Sequence, residues 1–168
     1  MKLSDSREIN ADAATVWAGL LNPDVLKECV PGCTEMSGSA EAGFEATVVQ
    51  KVGPVKATFK GSVAMSDINP TESLTISGEG KGGAAGFAKG GAAVRLEAQG
   101  SKTILHYDVE AKVGGKLAQL GSRIIDGFAK KMADQFFENF SNAVGVPEGD
   151  EDTDETPQKK GWFKKLVS

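Results

Sequence analysis

Four sets of residues in this chain have side chains that could do chemistry. The first is His106 beside Tyr107, the single histidine and the single tyrosine. General acid–base work needs a partner for the imidazole. The alternation of residues 104–113 instead sets His106 on the polar face of a strand, where solvation is its ordinary state. Tyr107 faces the other way. It could place one hydroxyl among apolar groups, to grip a ligand carbonyl or to bond the backbone. The second set is Cys29 and Cys33, on either side of Pro31-Gly32. With one histidine elsewhere they complete no four-ligand zinc site, and two cysteines make no disulfide framework.

The third set is the glycine-rich run GEGKGGAAGFAKGGAA, residues 78–93, which contains G-x-G-x-x-G at Gly78, Gly80 and Gly83. A dinucleotide site needs that string between a strand and a helix N-terminus. Here strand patterns flank it on both sides, and no Lys-Ser/Thr follows. It reads as a flexible hairpin loop at the border of a cavity, a mobile gate whose Phe87 could plug or touch a ligand or partner. The fourth set is KKGWFKKLVS, residues 159–168. Wound as a helix, Trp162, Phe163, Leu166 and Val167 share one side, and Lys159, Lys160, Lys164 and Lys165 surround them. Such aromatics favour the membrane interface, and each lysine adds about 1 kcal/mol near anionic headgroups. Ordering a flexible tip costs a comparable amount, so its binding is expected to be weak, reversible and salt-sensitive. An unstructured tail, a protein-docking peptide or a tip folded back into the domain's own cavity are the other readings.

None of these sets supplies a nucleophile, base and orienting partner together. No catalysis and no metal are expected, so the elements that position the side chains carry the argument. The longest runs over residues 114–146, where Leu117, Leu120, Ile124, Phe128, Met132, Phe136 and Phe140 recur at three- and four-residue steps. That spacing predicts one helix of roughly 40 Å with a broad apolar stripe, and Arg123, Asp126, Lys130 and Asp134 opposite. Ahead of it, residues 2–9 read as a strand. Residues 13–21 read as a helix capped by Asn10, with Val16, Trp17, Leu20 and Leu21 on one face. Residues 23–29 read as a second short helix, with Asn22-Pro23 at its start. Period-two alternation then marks strands over 44–52, 55–66, 74–76, 91–99 and 104–113.

Each strand has one apolar face, so the sheet covers a core on one side only. A curved antiparallel sheet of six to seven strands wrapped around the long helix satisfies both stripes. This is the helix-grip arrangement, an α+β fold. Small residues at inward positions (Ala46, Ala57, Gly61, Ala92 and Ala98) either let the helix pack close or leave a hollow; both outcomes stay open.

Length and 40% hydrophobic content suit one domain with a real core. A net charge of -4 argues against nucleic-acid binding. The opening MKLSDSREIN is too polar for a signal peptide, and no apolar run reaches the ~20 residues of a membrane span. Residues 148–158 hold six acids and no base, and the last ten hold four lysines and no acid. The expected division is a domain at 1–146, an acidic flexible linker at 147–158, and the basic, aromatic tip at 159–168.

The order of elements, the Val16-Trp17 of the first helix, NPDVLKECVPGC after it, and above all GGKLAQLGSRIIDGFAKKMADQFFENF resemble the family of the G subunit of carbon monoxide dehydrogenase. That family lies in the START-like (SRPBCC) helix-grip superfamily. The similarity covers residues 1–146, and the tail matches only in plan. The resemblance implies an accessory protein of aerobic molybdenum-containing carbon monoxide dehydrogenase, linked to recruitment of that complex to the inner face of the cell membrane. It carries over no catalytic residue.

Two readings of the protein follow. In one, it is a cytoplasmic, peripherally membrane-associated recruiter whose cavity also carries a lipophilic molecule. The ligand would be a non-covalent respiratory quinone, menaquinone or ubiquinone, delivered for electron transfer. Expected lining comes from Trp17 and Leu20 in the first helix, and from Phe44, Val48, Phe59, Leu74, Ile76, Val94, Leu105 and Tyr107 in the strands. Phe87 joins from the glycine-rich run, and Leu120, Ile124, Phe128 and Phe136 from the long helix. In the other, the protein is a membrane anchor or assembly factor with a solid core and no ligand. A small enzyme acting on a hydrophobic substrate comes third.

Overall fold

The computed structural model describes residues 1–145; the expected linker and tip lie outside the described residues. Seven strands form one antiparallel sheet: β1 (Lys2–Ile9), β2 (Cys33–Ser39), β3 (Gly43–Val52), β4 (Val55–Asn69), β5 (Ser73–Lys81), β6 (Phe87–Gln99) and β7 (Lys102–Gly114). Their order across the sheet is β1-β7-β6-β5-β4-β3-β2. Two short helices, α1 (Ala13–Leu20) and α2 (Pro23–Cys29), separate β1 from β2. A one-turn helix α3 (Lys116–Gln119) and the long α4 (Ser122–Val144) close the described chain. The curved sheet holds α4 against its inner face, giving the expected α+β helix grip.

Local chemistry explains the ends of these elements. Asn22 accepts a hydrogen bond from the Asp24 backbone N–H at 2.9 Å and so caps α2, with Pro23 in its first turn. The cap of α1 is Asp12, not Asn10. Asp12 directly precedes the first helical residue, and its carboxylate accepts from the Thr15 N–H at 2.8 Å. The same bond lowers the Asp12 pKa.

The long helix differs from expectation at its start. Gly121 has φ +90°, a left-handed conformation that ends α3 and begins α4 afresh. The buried face is also rotated. Ile125 and Phe140 are buried, while Ile124 is 40% exposed.

The glycine-rich run is mostly strand. β5 continues to Lys81 and β6 starts at Phe87, so only residues 82–86 turn, through a 3-10 turn at Gly83–Ala85. Backbone pairing with β4 and β7 overrides the weak strand propensity of glycine here. At Gly90 a side chain is excluded, because a Cβ would lie 2.2 Å from the Glu110 carbonyl oxygen. This segment is therefore sheet, not a mobile gate.

Cross-strand register aligns the inner face. Ala46 lies opposite Gly61, which lies opposite Gly80, which lies opposite Ala88. One step along, Gly78, Gly90 and Ala111 stand in a second row. These rows lower the sheet floor in its middle. The core divides accordingly. One cluster gathers Ile9, Val16, Trp17, Leu20, Leu105 and Phe140 under the C-terminal half of α4. The other gathers Val52, Leu117 and Ile125 at its start.

Candidate functional site

Between the two clusters lies a partly enclosed cavity of about 370 Å³. Its sheet side is built by Val48, Gln50 and Val52 of β3, Phe59 of β4, Gly80, Ala88, and Val109, Ala111 and Val113 of β7, with Met1 and Leu3 at the β1 edge. Its helix side is Leu117 of α3 and Ile125, Phe128, Ala129, Met132 and Ala133 of α4. Small residues on facing elements create the space. At Gly80 a Cβ would meet nothing within 4 Å.

The lining is apolar but for one side chain. Gln50 donates its Nε2–H to the Pro31 carbonyl, which fixes the amide beside the cavity. An amide has a second N–H and an acceptor oxygen besides. Gln50 takes an inward place in the alternation Phe44, Ala46, Val48, Gln50, Val52. That break in an apolar row is the sequence signal for it, and period-two alternation alone passes over it.

Of the residues expected to line a cavity, Val48, Phe59 and Phe128 do so. Trp17, Leu20, Leu74, Val94, Leu105 and Tyr107 are instead buried in the first cluster, with Ile76 and Phe136 packed against them. Phe44 is buried away from the cavity. Leu120 packs on the second cluster, and Ile124 faces outward toward Gly53 at the β3–β4 turn. Phe87 is 42% exposed and its ring covers Gly114. Lys159, Lys160, Trp162, Phe163, Lys164, Lys165, Leu166 and Val167 lie outside the described residues.

Tyr107 is occupied elsewhere. Its ring stacks on Phe137 at 5.0 Å, and its hydroxyl accepts from Arg7 at 3.2 Å. Arg7, an inward residue of β1 that hydrophobic periodicity does not single out, also donates to Asp134 of α4 at 2.6 Å and lies over the Phe137 ring. Burial opposes the Arg7 charge, yet the bonds to Asp134 and Tyr107 outweigh it and raise the pKa. The Arg7 bond, aided by Lys130, holds the Asp134 carboxylate below its usual range. The group ties the β1 edge to α4 beside the cavity, a structural role.

His106 lies on the outer sheet face at 2.9 Å from Glu97, whose pKa the contact lowers. Cys29 and Cys33 are free thiols. Burial, with a smaller push from Glu28, raises the Cys29 thiol to about 12. At about pH 8 roughly one Cys29 in 10⁴ is then ionised, so native protein treated with iodoacetamide should gain one adduct, on Cys33. Unfolded protein should gain two, as read by mass spectrometry. Rapid native labelling of Cys29 would show that α2 opens. Among the described residues no group of three or more His, Cys, Asp or Glu side chains is placed to hold a metal, and no helix is long and apolar enough to cross a membrane.

Comparison with known proteins adds an independent line. The model of the family described as the G subunit of carbon monoxide dehydrogenase (CoxG) matches residues 6–145. Among curated proteins, none matches in sequence. Among solved structures, a conserved protein from Geobacillus kaustophilus is 27% identical, with a TM-score of 0.80 over 86% of this chain and 95% of that one. A START superfamily protein from Mycobacterium smegmatis is 14% identical, with a TM-score of 0.63 over 85% and 96% of the two chains. A protein from Thermus thermophilus is 11% identical, with a TM-score of 0.64 over 86% and 97%. The last two likenesses are of fold alone.

Proposed function

The chain belongs to the CoxG family, that of the G subunit of carbon monoxide dehydrogenase, and from that premise we propose that it is a non-catalytic accessory protein which carries a respiratory quinone between the membrane and a molybdenum-containing carbon monoxide dehydrogenase. The observation that supports the carrier half is the 370 Å³ apolar cavity with a single amide in its wall. Its volume falls within the ~300–1,000 Å³ of ordinary ligand sites. A quinone ring with the first part of its isoprenoid tail is a ligand of that size and polarity. The ring would lie between Phe59 and Phe128, and the free Gln50 N–H would donate to one carbonyl. The rest of the tail would extend outside the protein.

The membrane half rests on the composition of residues 159–168, where two lysine pairs flank Trp162-Phe163 and Leu166-Val167 follows. A tether of this kind brings the cavity to the lipid that holds the quinone. Catalysis is assigned to the dehydrogenase in this reading; among the described residues the cavity wall carries no nucleophile and base side by side.

The test is direct. Protein purified without detergent from its own host should retain a quinone, seen as a mass shift in native mass spectrometry and recovered by organic extraction. Added menaquinone or ubiquinone should compete for the same cavity. A ligand-free protein that also takes up neither added quinone would reduce the reading to a tether without cargo.

A further inference from the structure

The lysines at one end of the sheet are set against one another. Register places Lys51 opposite Lys56, Lys60 opposite Lys81, and Lys89 opposite Lys112. All six lie on the outer face, since their neighbours Val52, Phe59, Gly80, Ala88 and Ala111 face the cavity. Lys116 of α3 and Arg123 of α4 join them at the same end. All eight are exposed, and among the described residues none is in an ion pair. Lys89 also has Glu79 across from it on its other side, whereas Lys51 with Lys56 and Lys60 with Lys81 set like charges directly across a ladder, which destabilises it.

Two further features share that end. Phe87 and Ile124 are exposed large apolar side chains, 42% and 40% accessible. Their neighbours reach the cavity wall: Val113 precedes the Gly114 that Phe87 covers, and Ile125 follows Ile124. The opposite end of the same strands carries Asp67, Glu72 and Glu97. Arg95 and Lys102 also lie at that opposite end, and Glu79 and Glu110 lie among the cations at the cavity end, so the opposed lysine pairs, not a net polarity of the domain, mark this surface.

We propose that this end of the domain is a docking face for an anionic lipid bilayer. Phosphate headgroups neutralise the opposed lysines, and Phe87 and Ile124 enter the interfacial layer between them. This sets the cavity against the lipid, so an apolar ligand passes without crossing bulk water. The inference deepens the carrier reading and rests on it for the cargo, while the surface is read from charge and exposure alone. Exposed apolar side chains among spread cations at an apolar cavity favour a lipid interface over an acidic protein. The chain's own acidic segment, residues 148–158, is the competing occupant that the test must separate.

The experiment uses the full chain and its Lys60→Gln/Lys81→Gln variant with sedimented vesicles, phosphatidylcholine alone or mixed with phosphatidylglycerol. At about 0.1 M salt the variant should bind the anionic vesicles roughly tenfold more weakly, while both proteins bind the neutral ones poorly. Its thermal midpoint should equal or exceed the parent's, because a like-charge pair is relieved. Unchanged binding would overturn the docking face and leave membrane contact to residues 159–168. Tighter binding would overturn it too, showing that residues 148–158 cover the lysines. Quinone retention measured without vesicles should be the same in both proteins. Its failure in both would sink the cargo and leave the vesicle result standing.

Discussion

Phe140→Ala should remove about 3–5 kcal/mol of stability, the range for deleting a fully buried aromatic ring. Phe140 is 0% exposed and stacks on Phe136 at 5.7 Å. It anchors α4 against α1, where a Cβ on Gly19 would lie 3.2 Å from the ring. Close approach of the two helices leaves the neighbours little room to collapse into the void. A domain of this size holds only ~5–15 kcal/mol in all, so the loss should lower the thermal midpoint by roughly 8–16 °C. Urea titration should show a lower midpoint with an unchanged slope. Phe128→Ala, by contrast, removes a ring that already borders empty space, and should cost clearly less. Equal losses at the two positions would mean that α4 is gripped evenly along its length, and the division into a packed half and a hollow half would fail.

That division is the part of the molecule least legible in sequence. Alternation located β3, β4, β6 and β7 to within a few residues, because each has one wet face and one dry face. β2, CTEMSGS, has no such contrast; it is an edge strand held by pairing with β3 alone. The stripe of α4 was visible, but a period of 3.6 does not fix its phase. Ile124 and Ile125 are equally apolar, and only the β3–β4 turn and the floor below decide which is buried. Leu117 and Leu120 also kept step with the stripe, which hid the break at Gly121.

The cavity itself depends on register between strands far apart in sequence. Ala46, Gly61, Gly80 and Ala88 become one row only once four strands pair. Large inward residues such as Leu74, Val94 and Tyr107 therefore looked like equal candidates for the lining, though they fill the other end. Arg7 was legible in principle, as a charge at an inward position between Leu3 and Ile9. Its partner Asp134 lies 127 residues away, beyond what local pattern can pair.

Gly80→Leu should abolish ligand retention and leave the fold as stable as before or more so. The position is an inward strand site on the cavity wall with an ordinary backbone conformation, and a Cβ there meets nothing within 4 Å. Replacing glycine in a strand restores side-chain packing and removes an entropic cost of roughly 0.5–1 kcal/mol. The new isobutyl group projects toward Phe59 and Phe128 and occupies the space assigned to the quinone ring. Retention of quinone after purification should fall at least tenfold, about 1.4 kcal/mol or more of lost affinity. The opposite signs of the two effects give the test its force. A destabilising lesion would lower both quantities together, whereas filling a binding cavity raises one and removes the other. Glycine at this site would then be kept for the guest rather than for the fold. Should Gly80→Leu retain quinone at the parent's level while remaining folded, the ligand lies elsewhere, and the cavity between β3, β7 and α4 is a packing defect with no cargo.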